Sequence, residues 1–253
     1  MTAGRSVVFD DIADRYDDTR GGPRRGREIA AALDRVLPAG RLVEVGIGTG
    51  LVAAGLAELG RPVVGFDLSV PMLRYAAARL PGRVAVGDAM RLPVPSGAVD
   101  GAYLVHVLHL VGDVGATLDE LHRTLRPGGV LSVTVRPTPR GADTDLHQLM
   151  HRLQSGFRLP ERPDREDLVV AAAERHGFEP AERIEVHRDH LLMTPREVAA
   201  RIEDRSWSWM WAIPDDAWRA AIMPVLADLR ALPDQDRPRP GNELVPVLAF
   251  RRR

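Results

Sequence analysis

The stretch Leu42-Val43-Glu44-Val45-Gly46-Ile47-Gly48-Thr49-Gly50-Leu51 constrains the fold more than any other. A short apolar run carrying one acid, Glu44, reads as a buried strand. Glycines at alternate positions make a tight turn. Leu51-Val52-Ala53-Ala54-Gly55-Leu56-Ala57 then has the pattern of a helix start. Strand, glycine turn and helix in immediate succession open the doubly wound parallel sheets, which bind nucleotide-like ligands at this turn.

The spacing of the glycines narrows the ligand. Dinucleotide folds use G-x-G-x-x-G to bring backbone against a pyrophosphate at a helix N-terminus. Here the spacing is G-x-G-x-G, with Leu51 where the third glycine would fall. The carboxylate of Glu44 would repel a pyrophosphate but suits a cation. S-adenosylmethionine, with an ammonium, a sulfonium and no phosphate, fits both observations.

The flanking pattern extends the alternation. Strands are expected at 41–46, 62–67, 83–87, 99–104 and 130–136, and helices at 50–59, 70–79 and 113–125. This is an α/β chain with a doubly wound parallel sheet. Two helices precede it, at 6–20 (Val8, Phe9, Ile12 and Tyr16 at helical spacing) and at 24–37. After residue 136, helices are expected at 143–155, 164–176, 195–205 and 215–231. Strands at 180–187 and 244–250 would pair as an antiparallel edge hairpin. No linker composition appears, so residues 1–253 read as one domain. Residues 1–40 supply amino-terminal helices, and 137–178 and 188–243 a helical cap.

Ligands in such sheets bind beyond the carboxyl ends of the strands. After the second strand comes Gly65-Phe66-Asp67-Leu68-Ser69, with Asp67 placed to accept from both ribose hydroxyls and Ser69 to cap the next helix. After the third comes Gly87-Asp88-Ala89-Met90, where Asp88 can accept an adenine amine while Leu68 and Met90 sandwich the ring. After the fourth come His106 and His109. His106, nearer the strand end, is the candidate catalytic base. All four tryptophans fall between Trp207 and Trp218, and Trp207 and Trp211 share a helical face suited to an apolar or aromatic acceptor. His147 and His151 stand at metal-binding spacing, but no third ligand is evident and no metal is expected.

These residues together resemble the class I S-adenosylmethionine-dependent methyltransferases, in the subgroup that includes ubiquinone and menaquinone methyltransferases. The matching motifs are residues 43–50, Gly65-Phe66-Asp67-Leu68-Ser69, Gly87-Asp88-Ala89 and Leu121-His122-Arg123-Thr124-Leu125-Arg126-Pro127-Gly128-Gly129. The resemblance covers roughly residues 7–136. It implies the strand order 3-2-1-4-5-7-6 with strand 7 antiparallel. It implies that Glu44 and the backbone of Gly46, Gly48 and Gly50 hold the methionine part, Asp67 the ribose, and Asp88 with Ala89 the adenine. It implies that the segment from Phe9 to Asp17 closes over the cofactor, with Tyr16 as a contact and Arg20 as a carboxylate partner.

Composition bounds the acceptor. All 34 basic residues are arginine, as codon bias in a GC-rich genome would give, and the net charge is −1. Such a balance offers no broad attraction to nucleic acid or anionic membrane. Zero cysteines exclude disulfides and thiolate metal sites. No run is apolar enough to span a bilayer, and no signal-peptide core follows Met1, so a cytoplasmic protein is expected. The expected activity is methyl transfer to a small, hydrophobic or aromatic metabolite at O, N or C, leaving S-adenosylhomocysteine. A cofactor-binding protein without transfer, and an enzyme acting on protein or RNA, remain as alternatives; oligomeric state is not legible.

Overall fold

A computed structural model describes residues 9–10, 12–19, 21–136, 138–140, 144–155, 163–207, 210 and 213–253. In chain order the elements are α1 (Tyr16–Thr19), α2 (Gly22–Val36), β1 (Leu42–Val45), α3 (Leu51–Glu58), β2 (Val63–Asp67), α4 (Val70–Arg79), β3 (Val84–Val86), β4 (Val99–Leu104), α5 (Val114–Thr124), β5 (Leu125–Thr134) and β6 (Thr138–Arg140). They continue as α6 (Asp145–Ser155), α7 (Glu166–Arg175), β7 (Phe178–Met193), α8 (Pro195–Glu203), α9 (Asp215–Ala217), a π-helical turn Trp218–Ile222, α10 (Met223–Ala231) and β8 (Arg239–Arg252).

The chain divides into two compact units. The first comprises Met1–Arg136, Arg162–Val186 and Val245–Arg253; the second comprises Pro137–Glu161 and His187–Leu244. The first holds the sheet, in the order β3-β2-β1-β4-β5-β8, with β7 also pairing β8. Strands β1 to β5 run parallel and β8 runs antiparallel to β5. With β7 and β8 as its sixth and seventh strands, this is the order the resemblance implied.

Alternation along β1 distributes its side chains to two cores. Leu42 joins Ile29, Leu33, Leu56 and Tyr103 beneath α2 and α3. Val43 and Val45 join Leu104, Leu118, Leu131 and Phe178 beneath α5 and α7. Burying each such leucine contributes roughly 1.5–3 kcal/mol, so the sheet is held from both faces. Helix α2 approaches α3 closely because its contact residues are small. A Cβ on Gly26 would stand 2.6 Å from the Leu51 carbonyl oxygen, and one on Gly55 would stand 2.8 Å from the Ala30 side chain.

Three elements differ from the expected ones. The helix expected over 6–20 is, among the described residues, helical only at 9–10 and over Tyr16–Thr19, with a turn at 12–15. Strand β5 starts at Leu125 rather than 130, because Pro127-Gly128-Gly129 form a bulge: the partner of Val99 is Leu125, whereas that of Gly101 is Val130. The helix expected over 215–231 is interrupted by the π-helical turn that ends just before Met223-Pro224. Pro224 lacks the N–H for an α-helical bond and its ring crowds the preceding turn, so the widened turn accommodates it. Other ends shift by a few residues, and β7 and β8 both run longer than expected.

In the second unit α6, α8 and α10 bury Leu149, Leu153, Val198, Ile202, Leu226 and Leu229 together. Short β6 pairs antiparallel with Asn242-Glu243-Leu244 of β8. A capping box opens α8: the Thr194 hydroxyl accepts from the Glu197 N–H and Glu197 accepts from the Thr194 N–H. Among the described residues no helix is long and apolar enough to cross a membrane.

Candidate active site

A cleft opens in the first unit at the carboxyl ends of β1 to β4. Its floor is the glycine turn. The Gly46 and Ile47 N–H groups both donate to the Phe66 carbonyl, at 2.8 and 3.0 Å, which ties the end of β1 to β2. Gly46 has φ 73°, and a Cβ there would meet the Val107 side chain at 2.4 Å. Gly48 has φ 55° and nothing within 4 Å of the place a Cβ would occupy, so the turn leaves open space against its backbone.

Three carboxylates face or border this cleft. Glu44 is buried, and the Tyr103 hydroxyl donates to its Oε2 at 3.0 Å. Burial raises its pKa to about 8, opposed by the Tyr103 hydrogen bond. Asp67 accepts from the Gly48 N–H at 2.8 Å and the Ser69 N–H at 2.9 Å. Burial raises its pKa as well, and those backbone bonds pull it down. Asp88 accepts from the Met90 N–H at 3.0 Å in a tight turn. Ser69 caps α4 as expected, its hydroxyl accepting from the Met72 N–H at 3.3 Å.

The cleft brings together Tyr16, Glu44, Gly46, Gly48, Asp67, Leu68, Asp88, Ala89 and His106 of the expected residues. Gly50 and Met90 are not on its wall: Gly50 opens α3 and faces Ala76, and Met90 turns into the Asp88 loop. His109 is not on the wall either; its Nδ1 stands 3.2 Å from Asp164 Oδ2. Trp207 lies in the second unit and packs against the core that includes Met210 and Ile213. Trp211 and Arg20 lie outside the described residues. Among the described residues no cluster of His, Asp and Glu could hold a metal ion.

His106 is held in an uncommon backbone conformation. Its φ is 54°, in the left-handed region, and its N–H donates to the buried Thr134 hydroxyl on β5 at 2.8 Å. A non-glycine residue there costs of order 1–3 kcal/mol, and such residues cluster at functional sites. The surrounding wall, Val105, Val107, Leu110 and Val111, is apolar.

Phe9 falls in the segment expected to close over the cofactor, whereas Arg25 and Tyr103 were not singled out by the sequence. Phe9 and Arg25 line the cleft, and the Phe9 and Tyr16 rings meet edge-on with centroids 6.2 Å apart. Tyr103 was signalled only by being a polar residue in an apolar strand. Arg25 was one of several arginines in a helix, and nothing local marked it.

Comparison with known proteins agrees with this architecture. Residues 43–133 match the family model of a methyltransferase domain. The demethylmenaquinone methyltransferase of Mycolicibacterium vanbaalenii is 31% identical over 217 residues, which cover 84% of this chain and 87% of that protein. The chain belongs to the class I S-adenosylmethionine-dependent methyltransferases of the quinone type. Two solved structures share the fold. The cyclase SpnF superposes with a TM-score of 0.61 at 20% identity, over 98% of this chain and 95% of its own. A S-adenosylmethionine-dependent methyltransferase from Thermotoga maritima gives 0.58 at 20%, over 97% and 99%. At such identity these two show the fold alone. Within this fold, the methyltransferase carries its glycine turn, Asp67 and Asp88 at the ends of β1, β2 and β3.

Proposed function

We propose that the cleft binds S-adenosylmethionine and that the chain methylates a small apolar or aromatic metabolite at the end bordered by His106. The observation that carries this reading is the division of the cleft wall: acidic and backbone-polar at the glycine turn, apolar beyond β4. Carboxylates beside the glycine turn suit a cationic nucleoside. The open space against Gly48 admits a ligand in contact with the backbone. When bound, the cofactor supplies a methyl group on a positive sulfur that departs neutral, so little acid catalysis is needed.

The chain's own residues then have distinct tasks. Asp67 takes the ribose and Asp88 with Ala89 the adenine. Glu44 stands beside the methionine part and accepts from the Tyr103 hydroxyl. Val105, Val107, Leu110 and Val111 exclude water and align the acceptor, which is the main source of rate in a direct displacement. His106 removes a proton if the acceptor is a hydroxyl or a carbon acid. The relatives named as demethylmenaquinone methyltransferases favour a quinone-like acceptor. The chain is proposed as a cytoplasmic enzyme.

The test is transfer of labelled methyl from S-adenosylmethionine into a size-fractionated extract of the source organism. Label in a small apolar fraction supports the reading and yields a product to identify. Label in protein or RNA would discard the substrate class. Cofactor binding with no label in any fraction would favour a protein that binds without transfer.

A further inference from the structure

Asp17, Arg79 and Thr49 form a knot where the amino-terminal segment meets the glycine turn. Asp17 Oδ1 accepts from the Thr49 hydroxyl at 2.5 Å. Asp17 Oδ2 accepts from Arg79 Nη2 at 2.5 Å, and Arg79 Nη1 donates to the Thr49 carbonyl at 2.6 Å. Three distant parts of the chain, α1, the turn and the last residue of α4, thus close on one another. The pair is half-buried, with Asp17 21% and Arg79 29% exposed. A lone surface ion pair contributes little. Here one guanidinium serves a carboxylate and a carbonyl, and one carboxylate serves a guanidinium and a hydroxyl, so each contact orients the next.

The location gives the knot a task. Thr49 is buried between Gly48 and Gly50, both at positive φ, so its carbonyl and hydroxyl report the shape of the turn. Tyr16 precedes Asp17 and lines the cleft, with Phe9 edge-on behind it. Successive residues of a helical turn point about 100° apart, so Tyr16 meets the cleft when Asp17 meets Thr49. A second clasp holds the same segment: the Ser69 hydroxyl donates to Asp10 Oδ1 at 2.5 Å, at the turn beyond β2.

We propose that Asp17 and Arg79 are positioning residues that hold Tyr16 over the cleft, so that release of cofactor product requires this knot to open. The inference rests on the cofactor reading given above. Asp17→Asn and Arg79→Gln should each speed S-adenosylhomocysteine dissociation about tenfold, as loss of a charge-assisted hydrogen bond predicts. The double variant should release it no faster than either single one, because both open the same knot. The urea midpoint of the ligand-free protein should stay close to wild type. Trypsin should cut faster after Arg15 in the ligand-free variants. Arg79→Gln, at the end of α4, carries the test alone if Asp17→Asn does not fold. Wild-type protein that fails to bind S-adenosylhomocysteine overturns both this inference and the cofactor reading. Binding by wild type with unchanged release rates in the folded variants overturns the knot alone.

Discussion

Glu44 and Tyr103 are neighbours in the parallel register of β1 and β4, and the Tyr103 hydroxyl donates to the Glu44 carboxyl at 3.0 Å on the face shared with α2. Both are buried. An acid raised to about 8 holds, in the folded state, a proton that the unfolded chain releases near 4.5. The folded state therefore binds more protons between those values, and stability falls as pH rises through that window. Below 4.5 the contribution is fully present; above about 8 it is lost. The urea midpoint should be lower at pH 8 than at pH 5, and the Glu44→Gln variant should show less of this dependence. An equal slope in variant and wild type would reject the assignment. If the cofactor reading holds, affinity for the cation should rise as pH passes about 8, and this rise should vanish in Glu44→Gln.

The glycines of the turn separate packing from ligand approach. Gly46→Ala places a methyl 2.4 Å from Val107 in a left-handed conformation, and should destabilise by about 2–4 kcal/mol. Gly48→Ala meets no neighbour and should cost only about 1–2 kcal/mol from its backbone conformation. It should nevertheless weaken cofactor binding, because the methyl occupies the open approach. Calorimetric unfolding and cofactor titration of the two variants would show the contrast; equal loss of stability would contradict it.

His106 can be tested without disturbing its backbone. Asparagine tolerates φ near 54° and cannot act as a base at neutral pH. On the acceptor found by methyl labelling, His106→Asn should keep the melting temperature and lose roughly 10²–10⁴ in kcat if proton removal is required. Full turnover would assign the residue to packing. Thr134→Val strands the His106 N–H and should cost about 1–3 kcal/mol.

In the second unit Arg188 is 6% exposed, and Glu243 accepts from its Nη1 at 2.5 Å. Glu243→Gln removes a charge from beside a buried guanidinium. It should lower stability by about 1–3 kcal/mol, read from the urea midpoint of the full chain.

The sequence by itself determined the alternation of strands and helices, the turn at Gly46 to Gly50, and the acids Glu44, Asp67 and Asp88 at strand ends. Those features are local: strand period, turn glycines and caps are decided within a few residues. Tertiary structure decided which distant groups meet. Glu44 finds Tyr103 across 59 residues and Asp17 finds Arg79 across 62, through strand register and helix packing that no short window contains. His106, at a left-handed φ, likewise finds Thr134 of the neighbouring strand for its N–H. Met90 and Gly50 were placed on the cleft by their motifs, yet the Asp88 turn and the start of α3 take them off its wall. Motif position is a property of the chain; which side chain faces the ligand is set by long-range contacts, whose partners are chosen only when the sheet closes.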